Sequence, residues 1–166
     1  MKIAIGLTIT HTQPTASDGQ SFHSSTGPAR KMNSVSYFEI PVTDLDRAIR
    51  FYEAVFGYVL ERASVDGNDM AFFPYAENRP GASGALVRGE SYAPGRSGAR
   101  IYFDVVGIQE TLSKAVDAGG VVLYPETVVG AFGSVAEIED SEGNCIGLHA
   151  NHPPGSPEAS PGRDRL

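Results

Sequence analysis

One cysteine, Cys145, stands in the whole chain, so no intrachain disulfide and no cysteine-built zinc site can form. No apolar run approaches the ~18 residues of a membrane helix. Basic residues are in deficit, 13 against 20 acids for a formal charge of −7. With no Lys/Arg cluster, that balance argues against nucleic acid as the main partner. No phosphate-binding glycine loop is present, and the glycine pairs read as turn and packing devices. The amino terminus MKIAIGLTIT carries one lysine and a short apolar stretch broken by threonines, and no small-residue cleavage site follows. The expectation is therefore a cytoplasmic protein. What is present, 41% hydrophobic and 20% charged residues over 166 positions, is the make-up of one soluble domain with a single core.

Residues 1–33 are dominated by Ser, Thr, Gly, Gln and His and read as a flexible extension, with Met32 as an alternative start. The stretch NHPPGSPEASPGRDRL reads as a disordered tail over 151–166. The folded part is expected at 34–150. Within it, 37–60 aligns without a gap on 100–123, an offset of 63. Val42 falls on Val105, Leu45 on Ile108, Ile49 on Leu112 and Gly57 on Gly120. The same offset carries Gly84 onto Gly147. Two copies are too few for a solenoid, so they are expected to be halves of one α+β domain, about 34–90 and 98–150, packed about a pseudo-twofold.

In the first half, Phe38, Ile40 and Val42 alternate with Tyr37 and Glu39, the pattern of a half-buried strand. Thr43 reads as an N-cap with Asp46 three residues on. A helix then places Leu45, Ala48, Ile49, Tyr52, Val55 and Phe56 on one stripe and stops at Gly57. Strands follow near 58–63, 69–74 and 83–88. The second half repeats the order: a strand at 100–105, a helix near 108–118 ended by Gly119 and Gly120, and strands near 121–125, 134–139 and 144–149. Each half is thus βαβββ, with one sheet face under the helix and the other left for its twin, a ligand or water.

Two segments, FEIPVTDLDRAIRFYEAVFG (38–57) and EDSEGNCIGLHA (139–150), together with 70–90, resemble the vicinal oxygen chelate superfamily. Its members include glyoxalase I, the bleomycin-resistance proteins and the extradiol dioxygenases. The resemblance covers about 34–150 and is nearest the glyoxalase-like subgroup of unassigned function. It implies two tandem βαβββ modules around a central cleft, and a homodimer. In the metal-dependent members, four His, Gln or Glu side chains from the first and last strands of each half hold one divalent ion. Carried over by position, those places fall on Tyr37, Gly84, Arg100 and Gly147. Glycine has no side chain, arginine is a permanent cation and tyrosine a poor ligand. The usual metal site is therefore expected to be missing, and no cofactor is expected.

One pleat repeat further along the same strands lie Glu39, Leu86, Tyr102 and His149. Glu39 and His149 are candidates for an acid/base pair, or for two ligands of a displaced metal site if Glu137, Glu139 or a substrate joins them. Alternating polar residues on a wet sheet face give the same pattern. Cys145 and His149 share a face but sit roughly 13 Å apart at ~3.3 Å per residue, too far for joint chemistry, and Cys145 reads as a buried filler. Arg100 with Tyr37, Tyr102 and Tyr52 suits an anionic, partly aromatic ligand. Neutralisation of Arg100 by Asp104, or plain stacking on a tyrosine, are the alternatives.

Three functions are therefore weighed. The first is metal-independent binding of a small anionic or aromatic molecule. The second is a lactoylglutathione lyase-like, isomerase or dioxygenase-like enzyme with a site shifted to Glu39 and His149. The third is an accessory protein-binding domain. Fold analogy alone does not choose among them.

Overall fold

The computed structural model describes residues 34–78 and 80–151. Residues 1–33 and 152–166 lie outside it, and with them the readings of a flexible extension, an alternative start at Met32, and most of the tail. The order is β1 (Tyr37–Pro41), α1 (Leu45–Phe56), β2 (Glu61–Val65), β3 (Asn68–Phe72), β4 (Ser83–Arg88), β5 (Ile101–Asp104), α2 (Ile108–Asp117), β6 (Val121–Val128), β7 (Ser134–Glu139) and β8 (Cys145–Ala150). A short 3-10 turn, Gly130–Phe132, joins β6 to β7. The strands form two four-stranded mixed sheets, β1-β4-β3-β2 and β5-β8-β7-β6, with the first and last strands of each half paired in parallel. This is the α+β arrangement of two βαβββ modules expected from the sequence.

Helix α1 forms where its stripe demands. Leu45, Ala48, Ile49, Phe51, Tyr52 and Val55 are buried, and Gly57 closes the helix in the left-handed conformation at φ 71°. Its N-cap is Asp44, whose carboxylate accepts from the Arg47 N–H at 2.9 Å. Thr43, the expected cap, is engaged elsewhere: its N–H and hydroxyl both donate to Glu142, and Asp46 pairs with Arg62. Strand β2 begins three residues later than expected, because Tyr58 stacks on Phe56 and Leu60 is buried in the core before the ladder starts. The β2–β3 hairpin turns on Asp66 (φ 50°) and Gly67 (φ 78°), the two-residue Asp-Gly turn whose positive φ angles match strand twist. Strand β6 continues past Pro125 to Val128. It is an edge strand, so the missing N–H is absorbed by register shifts on either side of Tyr124.

One apolar core fills the helix-covered side of both sheets. It joins Ile40, Leu86 and Tyr52 of the first half to Phe103, Ile138 and Leu148 of the second. The rings interlock across the boundary: Phe103 of β5 lies 4.8 Å from Phe56, 5.6 Å from Phe73 and 6.0 Å from Phe38, centroid to centroid. A smaller cluster of Met70, Ala85 and Val87 sits on the opposite face of the first sheet, covered by Tyr37, Phe72 and Tyr92. Phe72 and Phe73 thus point to opposite sides, as adjacent strand residues must.

The register corrects the repeat. Ile40 pairs with Leu86, and Phe103 with Leu148, all four in the main core. The first strands are therefore related by 63 but the last strands by 62. Gly84 pairs with Phe38 and has Ile146, not Gly147, as its counterpart.

Candidate functional site

Sheet alternation decides which side chains face the open side of each sheet. Tyr37, Glu39, Ser83 and Ala85 share the open face of the first sheet, whereas Gly84 and Leu86 share the helix side with Phe38 and Ile40. Two of the positions expected in the cleft therefore fail. Leu86 is wholly buried in the core. Gly84 lies under the Phe38 ring, where any Cβ would strike it. Gly147 does face the open side, with Tyr102 laid flat over it. Both glycines accept an aromatic ring from the neighbouring strand, but on opposite faces of their sheets.

Tyr52 is also misplaced by the sequence reading. It is fully buried, and its hydroxyl donates to Asp140 Oδ2 at 2.8 Å. Burial, with the nearby Asp140 charge, pushes its phenol well up. Asp140 also accepts from the Glu142 and Asn144 N–H groups and from Asn144 Nδ2, each at 2.9 Å. Asn144 Nδ2 reaches the Pro41 carbonyl at 2.9 Å as well. The 140–144 turn, one of the segments that carried the family resemblance, is thus a structural clamp. Its Glu142 carboxylate, with no side-chain exposure, takes the N–H groups of Thr43 and Asp44, the Thr43 hydroxyl and two donors of Arg47. Burial opposes that charge, but the Arg47, Asp44 and Thr43 bonds outweigh it and hold the carboxyl at about 2.

Glu39 and His149 are not brought together. Glu39 accepts from the Tyr92 hydroxyl at 2.6 Å, which pushes that phenol up to about 12. His149 Nδ1 lies 2.9 Å from Asp104 Oδ1, and Nε2 lies 2.7 Å from the Phe132 carbonyl. Both neighbours only accept, so the imidazolium, with two N–H donors, satisfies the pair. The Asp104 and Phe132 bonds raise its pKa. Asp104 therefore serves His149, and Arg100 is neutralised by Glu137 at 3.1 Å instead. Arg96 pairs with Glu139, and the Cys145 thiol lies 3.6 Å from Glu137. Burial, then the Glu137 charge, pushes that thiol up. Among the described residues, no three His, Cys, Asp or Glu side chains converge to hold a metal ion.

Phe38 of edge strand β1 meets Phe103 of edge strand β5 edge-on at 6.0 Å, and two cavities lie along this seam. One, of about 420 Å³, is walled by Phe38, Tyr58, Phe73 and Phe103, with Arg100 and Tyr102 at its rim. The other, of about 480 Å³, lies at the opposite end of the seam between Glu39 and Cys145, under the segment that joins β4 to β5. The sequence reading places the 67–84 stretch, with Phe73, over the cavity mouth, but misses Tyr58 and Tyr92. Tyr58 and Phe73 both carry a detectable signal, since Tyr58 opens one predicted strand and Phe73 lies near the end of the next.

The family model "Bleomycin resistance protein-like N-terminal" matches residues 35–73. No curated protein sequence matches. Among solved structures, a glyoxylase/bleomycin resistance protein/dioxygenase domain from Frankia sp. EAN1pec is 19% identical, with a TM-score of 0.58 over 76% of this chain and 96% of that one. The genomically encoded fosfomycin resistance protein FosX from Listeria monocytogenes is 21% identical, with a TM-score of 0.57 over 74% of this chain and 94% of its own. A V278E mutant of glyoxalase I from Zea mays is 20% identical, with a TM-score of 0.54 over 70% of this chain and 45% of its own, so this chain spans under half of that protein.

Proposed function

Given that the chain has the vicinal oxygen chelate fold, we propose that it binds a small, uncharged aromatic molecule in the cavity at the β1–β5 seam and performs no chemistry on it. The observation that carries this reading is the cavity wall itself: four aromatic rings around about 420 Å³, within the usual range for ligand pockets. Rings offer stacking and edge contacts to another ring at little entropic cost. Tyr102, which is 48% exposed, adds a flat platform beside them.

Charge argues for an uncharged ligand over the anionic one suggested by Arg100 alone. That guanidinium already donates to Glu137 and to the Arg96 carbonyl, so an anion must displace a carboxylate, whereas a neutral ring need not. The same pairing speaks against the Glu39/His149 enzyme. A general base must be free to reach its proton, and both groups are engaged within the chain.

The chain has seven tyrosines but no tryptophan, so indole excited beyond the tyrosine absorption band serves as a fluorescent probe without protein background. Saturable indole binding is expected, at least tenfold weaker in Tyr102→Ala and much weaker still for benzoate. Absence of saturable binding by indole or phenol, or a clear preference for benzoate, would overturn the reading. So would turnover of hemithioacetals or catechols that disappears in Glu39→Ala or His149→Ala.

A further inference from the structure

The second cavity, of about 480 Å³, shares only Ile101 with the aromatic cavity. Its walls are Ile40 and Pro41 of β1, Ile101 of β5, and Cys145 and Ile146 of β8, and its roof is the 93–99 stretch of the β4–β5 connection. That connection, 89–100, has no helix or strand and most of its residues are exposed. Few bonds hold it down. Tyr92 donates to Glu39, the Gly95 N–H donates to Asn144 Oδ1 at 3.0 Å, Arg96 pairs with Glu139, and at the β5 end Arg100 pairs with Glu137 and donates to the Arg96 carbonyl. Its one backbone bond to itself is Tyr92 N–H to the Gly89 carbonyl at 3.2 Å. Three of its anchors, Tyr92–Glu39, Arg96–Glu139 and Arg100–Glu137, are thus side-chain contacts at the surface, and the elements beneath are tied into sheets. Segments with few buried contacts and exposed bonds are the ones that open locally, well below the free energy of global unfolding.

We propose that the 89–100 strap is a lid, latched by Tyr92–Glu39 and Arg96–Glu139, and that the chamber it covers admits small uncharged molecules when the lid lifts. The chamber's character sets the ligand class. Its walls are mostly aliphatic, its one carboxylate, Glu39, is capped by Tyr92, and the Asn144 amide is fully bonded to Gly95, Pro41 and Asp140. An anionic guest would find no cation there, would face the Glu39 charge and would lose its hydration. The Cys145 thiol, 8% exposed, stands in the wall as a built-in reporter and the only thiol in the chain.

The test is the labelling rate of Cys145 in the full chain, using N-ethylmaleimide and a sulfonated maleimide, each normalised to its rate with a free thiol. If the lid opens locally, the uncharged reagent reacts at a rate flat in low urea and roughly tenfold ahead of the anionic one. Removing one latch bond, in Tyr92→Phe or separately in Glu139→Gln, then raises the rate about fivefold, as one net hydrogen bond allows. Labelling that climbs with urea along the global unfolding slope and ignores both variants would overturn the lid. Equal normalised rates for the two reagents would overturn the assignment of an uncharged guest. Indole binding in the aromatic cavity is a separate readout, so either proposal can fail alone.

Discussion

Glu142 shows how much a single carboxylate does. It has six donors, one of them the Ser141 hydroxyl, lies 98 residues from the Asp44 N–H it accepts, and stays ionised down to about 2 against an ordinary 4.5. A depressed carboxyl stabilises the fold fully above its unfolded value, and the contribution fades as pH falls from about 4.5 toward 2. Glu142→Gln keeps the shape but loses the charge-assisted bonds. A loss on the order of 2–3 kcal/mol is expected at neutral pH, read as a drop in Tm of roughly 10 °C, with the difference from wild type shrinking in acid. An unchanged Tm at pH 7 would remove the clamp from the account. His149 runs the other way. Its raised pKa means the Asp104 and Phe132 contacts are complete at acid pH and weaken as pH rises through the folded value. In an NMR titration, the imidazole should titrate above 6.5 and the Phe132 amide environment should move with it. Titration at or below 6.5 would rule out the doubly donating imidazolium.

At the scale of elements, pattern was the strong guide and register the weak one. Strands β4 and β7 fall where alternation put them, and α1 buries the stripe read from its period, with Phe51 added and Phe56 only half covered. The open-face set was less legible. An offset of 63 fits the first strands, but the last strands are related by 62, and one residue reverses every side chain. That is why Gly84 and Leu86 were expected in the cleft and are found in the core. Tyr52 was misread for a different reason: a stripe shows that a residue points inward, but not that its hydroxyl will find Asp140 in the other half. The two ring-covered glycines give a direct check. Gly84→Ala must drive the Phe38 ring out of its packing against Phe73 and Phe103 and into the neighbouring cavity, and should cost about 2–3 kcal/mol. Gly147→Ala needs only the half-exposed Tyr102 to lift, and should cost less than about 1 kcal/mol. Equal losses in denaturant melts would show that the two rings are held alike.

For the whole molecule, the decisive feature is that the two modules do not own separate cores. Phe103 completes the ring cluster of the first half, and the 140–144 turn caps its helix. A fragment ending at residue 90 should therefore lack cooperative unfolding and dispersed amide resonances, although it contains a complete βαβββ unit. A folded 34–90 fragment would mean that the modules are independent and the clamp incidental. The sequence told of two like halves, but it could not tell that they would be joined this way, because the joining contacts are side-chain bonds between positions about 100 residues apart.

The Glu142 cap also bears on how the chain is born. Helix α1 is made early, yet the carboxylate that closes its first turn is synthesised 98 residues after Asp44. At ~5–20 residues per second, the first turn of α1 waits roughly 5–20 s for the carboxylate that caps it. Ribosome-bound chains stopped before residue 140 should therefore be protease-sensitive and chaperone-associated. Those stopped far enough beyond residue 150 for the last strand to clear the exit tunnel should become resistant throughout, in a single step.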